Sequence, residues 1–113
     1  MKNNGVKSLL LTNRLTVKNK DLTLFPAKSG RRPAIVLSPK AYNSKVGLAL
    51  LCPITNQVKG YPFEVMIPSG LRVTGVVLSD QVKSLDWKIR NAEYCDKLPE
   101  AVVLEIFKKL ETL

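Results

Sequence analysis

Prolines at positions 26, 33, 39, 53, 62, 68 and 99 divide this 113-residue chain into short lengths, and they set the terms on which it can fold. Proline fixes φ and has no amide hydrogen, so it suits turns, strand ends, sheet edges and the first turn of a helix rather than the interior of a long element. The apolar residues between the prolines come in matching short runs. Asp21 to Phe25 alternates as a brief strand that Pro26 should end, and Ala34 to Leu37 is continuously apolar, as in a strand buried on both faces. Val46 to Cys52 reads as a strand stopped by Pro53. Tyr61 to Ile67 follows with Phe63, Val65 and Ile67 on one face, and the two should form a hairpin with a wide loop. Val73 to Leu78 and Trp87 to Tyr94 are two further strands, with short helical turns expected after Ser38-Pro39 and Ser79-Asp80. After Pro99 the period changes: Val102, Val103, Ile106, Phe107, Leu110 and Leu113 share one side of a helix. The expected class is mainly β, a small and strongly bent antiparallel sheet or barrel with a C-terminal α-helix.

A chain of this length has room for one core. Residues 21–113 are expected to form a single domain, preceded by a basic segment of residues 1–20 to which no structure is assigned. Charge is concentrated at the same end: residues 1–32 hold eight basic side chains against Asp21, a net of +7 out of +9 for the chain. Such a segment points to a polyanionic partner, most often nucleic acid, although lysines that keep a small domain soluble leave the same trace. The chain has no histidine, and its two cysteines, Cys52 and Cys95, lie far apart. Zinc sites built from cysteine and histidine, and histidine acid–base chemistry, are thereby excluded, and Cys52 reads as a small core residue. No apolar run reaches the length of a signal-peptide core or a membrane span, so a reducing cytoplasm is the expected location.

Several residue groups have the chemistry to handle a nucleic acid. Arg31 and Arg32 stand just before a buried strand, where planar guanidinium groups can grip a phosphate in bidentate fashion, or can simply close a surface salt bridge. Thr55 follows a strand end; its hydroxyl can donate to a phosphate oxygen or satisfy a turn amide. Lys59, Gly60 and Tyr61 set a cation, a flexible backbone and an aromatic face side by side, which suits single-stranded nucleic acid and equally suits an ordinary hairpin turn. Asp80, Gln81 and Lys83 offer mixed donors and acceptors for base edges, or a cap for a helical turn, and Trp87 reads as core or dimer contact.

Taken together, RRPAIVLSPKAYN, PITNQVKGYPFEV and TGVVLSDQVKSLDW resemble the MazF branch of the MazF/PemK toxin family, in register from about Gly30 to the C-terminus. The resemblance implies an SH3-like β-barrel with a C-terminal helix, assembled as a homodimer. It implies a ribosome-independent endoribonuclease without metal or other cofactor, which cuts single-stranded RNA at a short sequence to leave a 2′,3′-cyclic phosphate and a 5′-hydroxyl. A MazE-type antitoxin with an acidic C-terminal segment would neutralise it. By position, Arg32 falls on the family's catalytic arginine and Thr55 on its catalytic threonine, with Arg31, Lys59, Tyr61, Gln81 and Lys83 as RNA contacts. The segment before Gly30 departs from the family pattern. Its loop is nearly absent, and Ala27 stands where a glutamate is common. An impaired toxin, or a CcdB-like protein acting only by binding, is the alternative on the same barrel.

Overall fold

A computed structural model of the chain describes residues 20–27, 30–87 and 91–112. Among the described residues, seven strands form one curled antiparallel sheet: β1 (Lys20–Ala27), β2 (Gly30–Val36), β3 (Ala49–Thr55), β4 (Glu64–Met66), β5 (Val76–Leu78), β6 (Lys83–Leu85) and β7 (Glu93–Leu98). Two helices accompany them in the same residues, α1 (Lys40–Val46) between β2 and β3, and α2 (Glu100–Leu110) at the C-terminal end. The strand order is β4-β5-β3-β2-β1-β7, with β6 also on β3. This is the mainly β class expected, realised as a half-barrel with a C-terminal helix. The basic segment of residues 1–20 lies outside the described residues except at Lys20, as does the terminal Leu113.

Strand alternation divides the side chains between two faces. Leu22, Ile35, Leu50, Cys52, Ile54, Val65, Val77 and Leu98 turn to the concave inner face, where they meet Val103, Ile106, Phe107 and Leu110 from α2 in one core. Those four helical residues are the buried stripe that the period after Pro99 predicts, and burying each contributes roughly 1.5–3 kcal/mol. Pro99 sits at the helix N-cap, where no amide donor is needed, and Glu100 in the first turn and Lys108 and Lys109 in the last are favourable to the helix dipole. Lys109 also reaches back to the sheet edge, where its ammonium donates to the carbonyl oxygens of Pro62 and Glu64 beside β4. A lysine over an exposed strand edge discourages pairing with another chain. At the opposite edge, Asp96 of β7 accepts the amide of Arg72 at 2.9 Å, tying the last strand to the loop between β4 and β5.

The prolines behave differently from the sequence expectation. Pro26 does not end β1, and Pro53 does not stop β3; each lies inside its strand. The pairing of β1 with β7 runs out at Leu24, so Pro26 faces β2 alone, opposite Arg31. Along β3, Leu37 N donates to Leu50 O, and alternation from that pair turns the nitrogen of Pro53 away from β2. On that far side β6 covers residues up to Leu51 and β5 begins at Ile54, so proline fills a gap where no amide donor is needed.

Other boundaries also shift. Val46 belongs to α1 rather than to a strand, and Ser38 does not cap that helix: its hydroxyl bonds to Asn43 and accepts the amide of Leu50 instead. The expected hairpin between the third and fourth strands does not form, because β5 lies between them and pairs with both. Lys83 lies in β6 rather than in a helical turn, and the last strand begins at Glu93 rather than Trp87.

Candidate active site

On the outer face of the sheet, Arg32, Pro53, Thr55 and Lys83 come from three adjacent strands, and alternation points all four the same way. They line an open groove of about 480 Å³, to which the segment after β3 adds Gln57, Lys59, Tyr61 and Phe63, and the turn after β5 adds Asp80 and Gln81. The structure therefore brings Arg32, Thr55, Lys59, Tyr61, Gln81 and Lys83 to one place. Arg31 does not join them. Both arginines lie within β2 rather than before it, and consecutive strand residues face opposite ways, so Arg31 turns to the inner side and pairs with Glu93 of β7 at 3.1 Å.

Each groove residue is placed by a local device. Thr55 is the last residue of β3, and its Oγ1 accepts the amide of Gln57 at 3.0 Å. That bond satisfies the turn and leaves the hydroxyl hydrogen to donate into the groove, so the two roles open to a threonine here are compatible. Gly75 passes so close behind that a Cβ on it would lie 2.2 Å from Thr55 O, and its φ of +114° is open to glycine alone in practice. Thr74 Oγ1 donates to Asn56 Oδ1 at 3.0 Å, holding the same corner from the other side. The Lys59 ammonium lies 5.9 Å from the centre of the Tyr61 ring, and both side chains are exposed.

Sequence reasoning missed Glu64 and Gly75. Glu64 lines the groove and accepts the amides of Lys59 and Gly60. A glycine in TGVVL carries a signal only once a neighbouring backbone is known to press on it. Cys52 lies beneath the groove in the core, where burial, with a smaller contribution from Asp80, pushes its thiol up to about 12; it is no nucleophile at neutral pH. Trp87 packs against Ala34 and Leu51 on the outer face, with its Nε1 donating to Asn43 O at 3.1 Å, so its reading as a packed residue fits better than base stacking. Among the described residues no group of three or more cysteines or carboxylates is placed to hold a metal ion, and no helix is long and apolar enough to cross a membrane.

Comparison with known proteins gives a consistent result. Residues 19–113 match the family model described as PemK-like, MazF-like toxin of type II toxin–antitoxin system. The chain is 53% identical over 72 residues to the endoribonuclease toxin MazF of Escherichia coli K12, a match that covers 64% of each protein. It is 31% identical over 97 residues to the endoribonuclease PemK of Escherichia coli, covering 82% of this chain and 73% of that one. The crystal structure of a MazE–MazF complex from Deinococcus radiodurans superposes with a TM-score of 0.78 at 49% identity, over 81% of this chain and 88% of the other. The family match spans β1 to α2 and therefore every groove residue named above. The chain belongs to the PemK-like, MazF-like toxins of type II toxin–antitoxin systems.

Proposed function

We propose that this protein is an endoribonuclease toxin that cuts single-stranded RNA without a metal ion, at the outer-face groove. The observation that carries this reading is the convergence of the Arg32 guanidinium and the Thr55 hydroxyl, from neighbouring strands, on one groove flanked by Lys59, Tyr61 and Lys83. An extended RNA strand meets cations for its phosphates and an exposed aromatic ring for an unpaired base.

Cleavage proceeds by attack of a ribose 2′-oxygen on the adjacent phosphorus. The 2′-oxygen–phosphorus bond forms as the phosphorus–5′-oxygen bond breaks, leaving a 2′,3′-cyclic phosphate and a 5′-hydroxyl. In balance, the proton lost from the 2′-oxygen is replaced by one gained at the departing 5′-oxygen, by exchange with water. Charge on the non-bridging oxygens rises in the transition state, and Arg32 meets it with a fixed fork of donors. Thr55 donates its hydroxyl hydrogen to one of those oxygens and so holds the phosphate in line. Arginine has a pKa above ~12, so its contribution is electrostatic stabilisation rather than base catalysis.

The partners follow from the same reading: a MazE-type antitoxin whose acidic segment covers the groove, and a second copy of the chain in a homodimer. The MazF and PemK relatives are endoribonucleases, and the Deinococcus relative is seen with MazE. Messenger RNA as substrate would place the protein in the cytoplasm.

The test is cleavage of long single-stranded RNA in EDTA, with the cut sites mapped by sequencing. Wild type is expected to cut, and Arg32→Ala to lose about 10²–10³-fold in rate while melting like wild type, since Arg32 is exposed. A folded wild type that cuts no RNA would remove the nuclease reading.

A further inference from the structure

One groove residue without an assigned role is Glu64. Its two carboxylate oxygens accept two successive backbone amides, Lys59 N to Oε2 at 3.1 Å and Gly60 N to Oε1 at 2.9 Å. Consecutive amides aimed at one point form an anion nest, and Gly60 opens it by adopting a φ of +78°. The nest is thus filled by a carboxylate of the chain itself, from the first residue of β4.

The stem that carries this carboxylate is itself held firmly. The Lys109 ammonium of α2 binds the carbonyls of Pro62 and Glu64, and Ser79, whose side chain is fully buried, donates both its amide and its hydroxyl to Phe63 O. The free end of the loop is different. Val58, Lys59, Gly60 and Tyr61 are all exposed; apart from the Lys59–Tyr61 contact, this stretch is held by the two amide bonds to the Glu64 carboxylate, by Val58 N donating to Asn56 O and by Tyr61 O accepting the Glu64 amide at 3.1 Å.

We propose that Glu64 is a positioning residue for RNA binding: its carboxylate, seated in the Lys59–Gly60 nest, holds the Lys59 ammonium and the Tyr61 ring over the groove. This rests on the RNA-cleaving reading of the groove, and it explains an acidic side chain in a place meant for phosphate. The two amides occupy both carboxylate oxygens, so the carboxylate acts as a strut for the loop while the Lys59 ammonium lies against the Tyr61 ring. Without it the loop must be ordered when RNA binds, and affinity falls by the entropy of that ordering.

The experiment combines two measurements on the full-length protein. Amide hydrogen exchange at Lys59 and Gly60, read without RNA, should be slow in wild type and fast in Glu64→Ala. Binding of an uncleavable 2′-deoxy-substituted RNA oligonucleotide should weaken by about fivefold to tenfold in Glu64→Ala. That loss should shrink to less than about twofold when Lys59 and Tyr61 are already alanine, because a strut has nothing to position once its load is gone. In cleavage, the defect should fall on KM more than on kcat. Equal losses in both backgrounds, or unchanged exchange at the two amides, would overturn the proposal. If Glu64→Ala does not fold, Glu64→Gln keeps the shape and one acceptor and carries the same cycle, with an intermediate effect expected. A wild type that binds the oligonucleotide but never cuts RNA ends the nuclease reading alone, and the cycle still decides the role of Glu64.

Discussion

At the residue scale the site depends on contacts that hold one hydroxyl and one guanidinium in place. Gly75 illustrates the tolerance: a methyl group there meets the Thr55 carbonyl at 2.2 Å, on a backbone that already disfavours any side chain. Gly75→Ala should therefore lower stability by about 1–3 kcal/mol and slow RNA cleavage further than the loss of fold accounts for, since the strain is relieved by moving Thr55. Thermal melting together with kcat on folded protein checks it; an unchanged kcat would mean that the corner relaxes elsewhere. That Arg32 and Thr55 belong together in one groove was legible in the sequence because their neighbours, Pro-Ala and Pro-Ile, keep a family register. Arg31 was not, because its direction depends on where β2 begins. A strand starting at Gly30 sends it to Glu93, whereas a strand starting at Ala34 would have left both arginines at the rim.

At the scale of elements, the sheet is held closed by side chains where strands do not pair. Asp96 is the clearest case. Hydrogen bonds from the amides of Arg72 and Lys97 hold its carboxyl below the usual aspartate range, although the group is exposed. A carboxyl with a depressed folded-state pKa contributes stability that is present above its unfolded pKa of about 3.9 and is lost as pH falls through the folded value. Asp96→Ala should thus melt below wild type at neutral pH, and the gap should close as the pH is taken from about 5 to below 3. A gap that stays constant across that range would show that the carboxylate charge is not what ties β7 to the Arg72 loop. The helix α2 was readable almost residue by residue, because its buried stripe repeats at the helical period over three turns. The short strands were not, because three residues are enough for β4, β5 and β6, and such lengths carry little periodicity.

For the whole molecule, charge and topology act together. The groove offers Arg32, Lys59 and Lys83 to a phosphate chain, while the larger part of the net charge, +7 of +9, lies in residues 1–32. Contact with the three groove cations alone predicts a log–log salt dependence of RNA affinity with a slope of about −2. Titrating the uncleavable oligonucleotide against potassium chloride should give that slope or a steeper one. A flat dependence would mean that phosphates are not bound in the groove. A steeper one would assign further contacts to the basic residues near the N-terminal end. Sequence alone settles the mainly β class, the C-terminal helix and the core role of Cys52, which rest on local patterning that a single strand or helix carries with it; family register adds Arg32 and Thr55 as candidates for the groove. Tertiary structure alone decided that β5 separates β3 from β4, that Pro53 lies within a strand, that Arg31 and Arg32 part company, and that Glu64 braces the loop. Each of those depends on which strand lies beside which, a contact between residues far apart in the chain that no local pattern records.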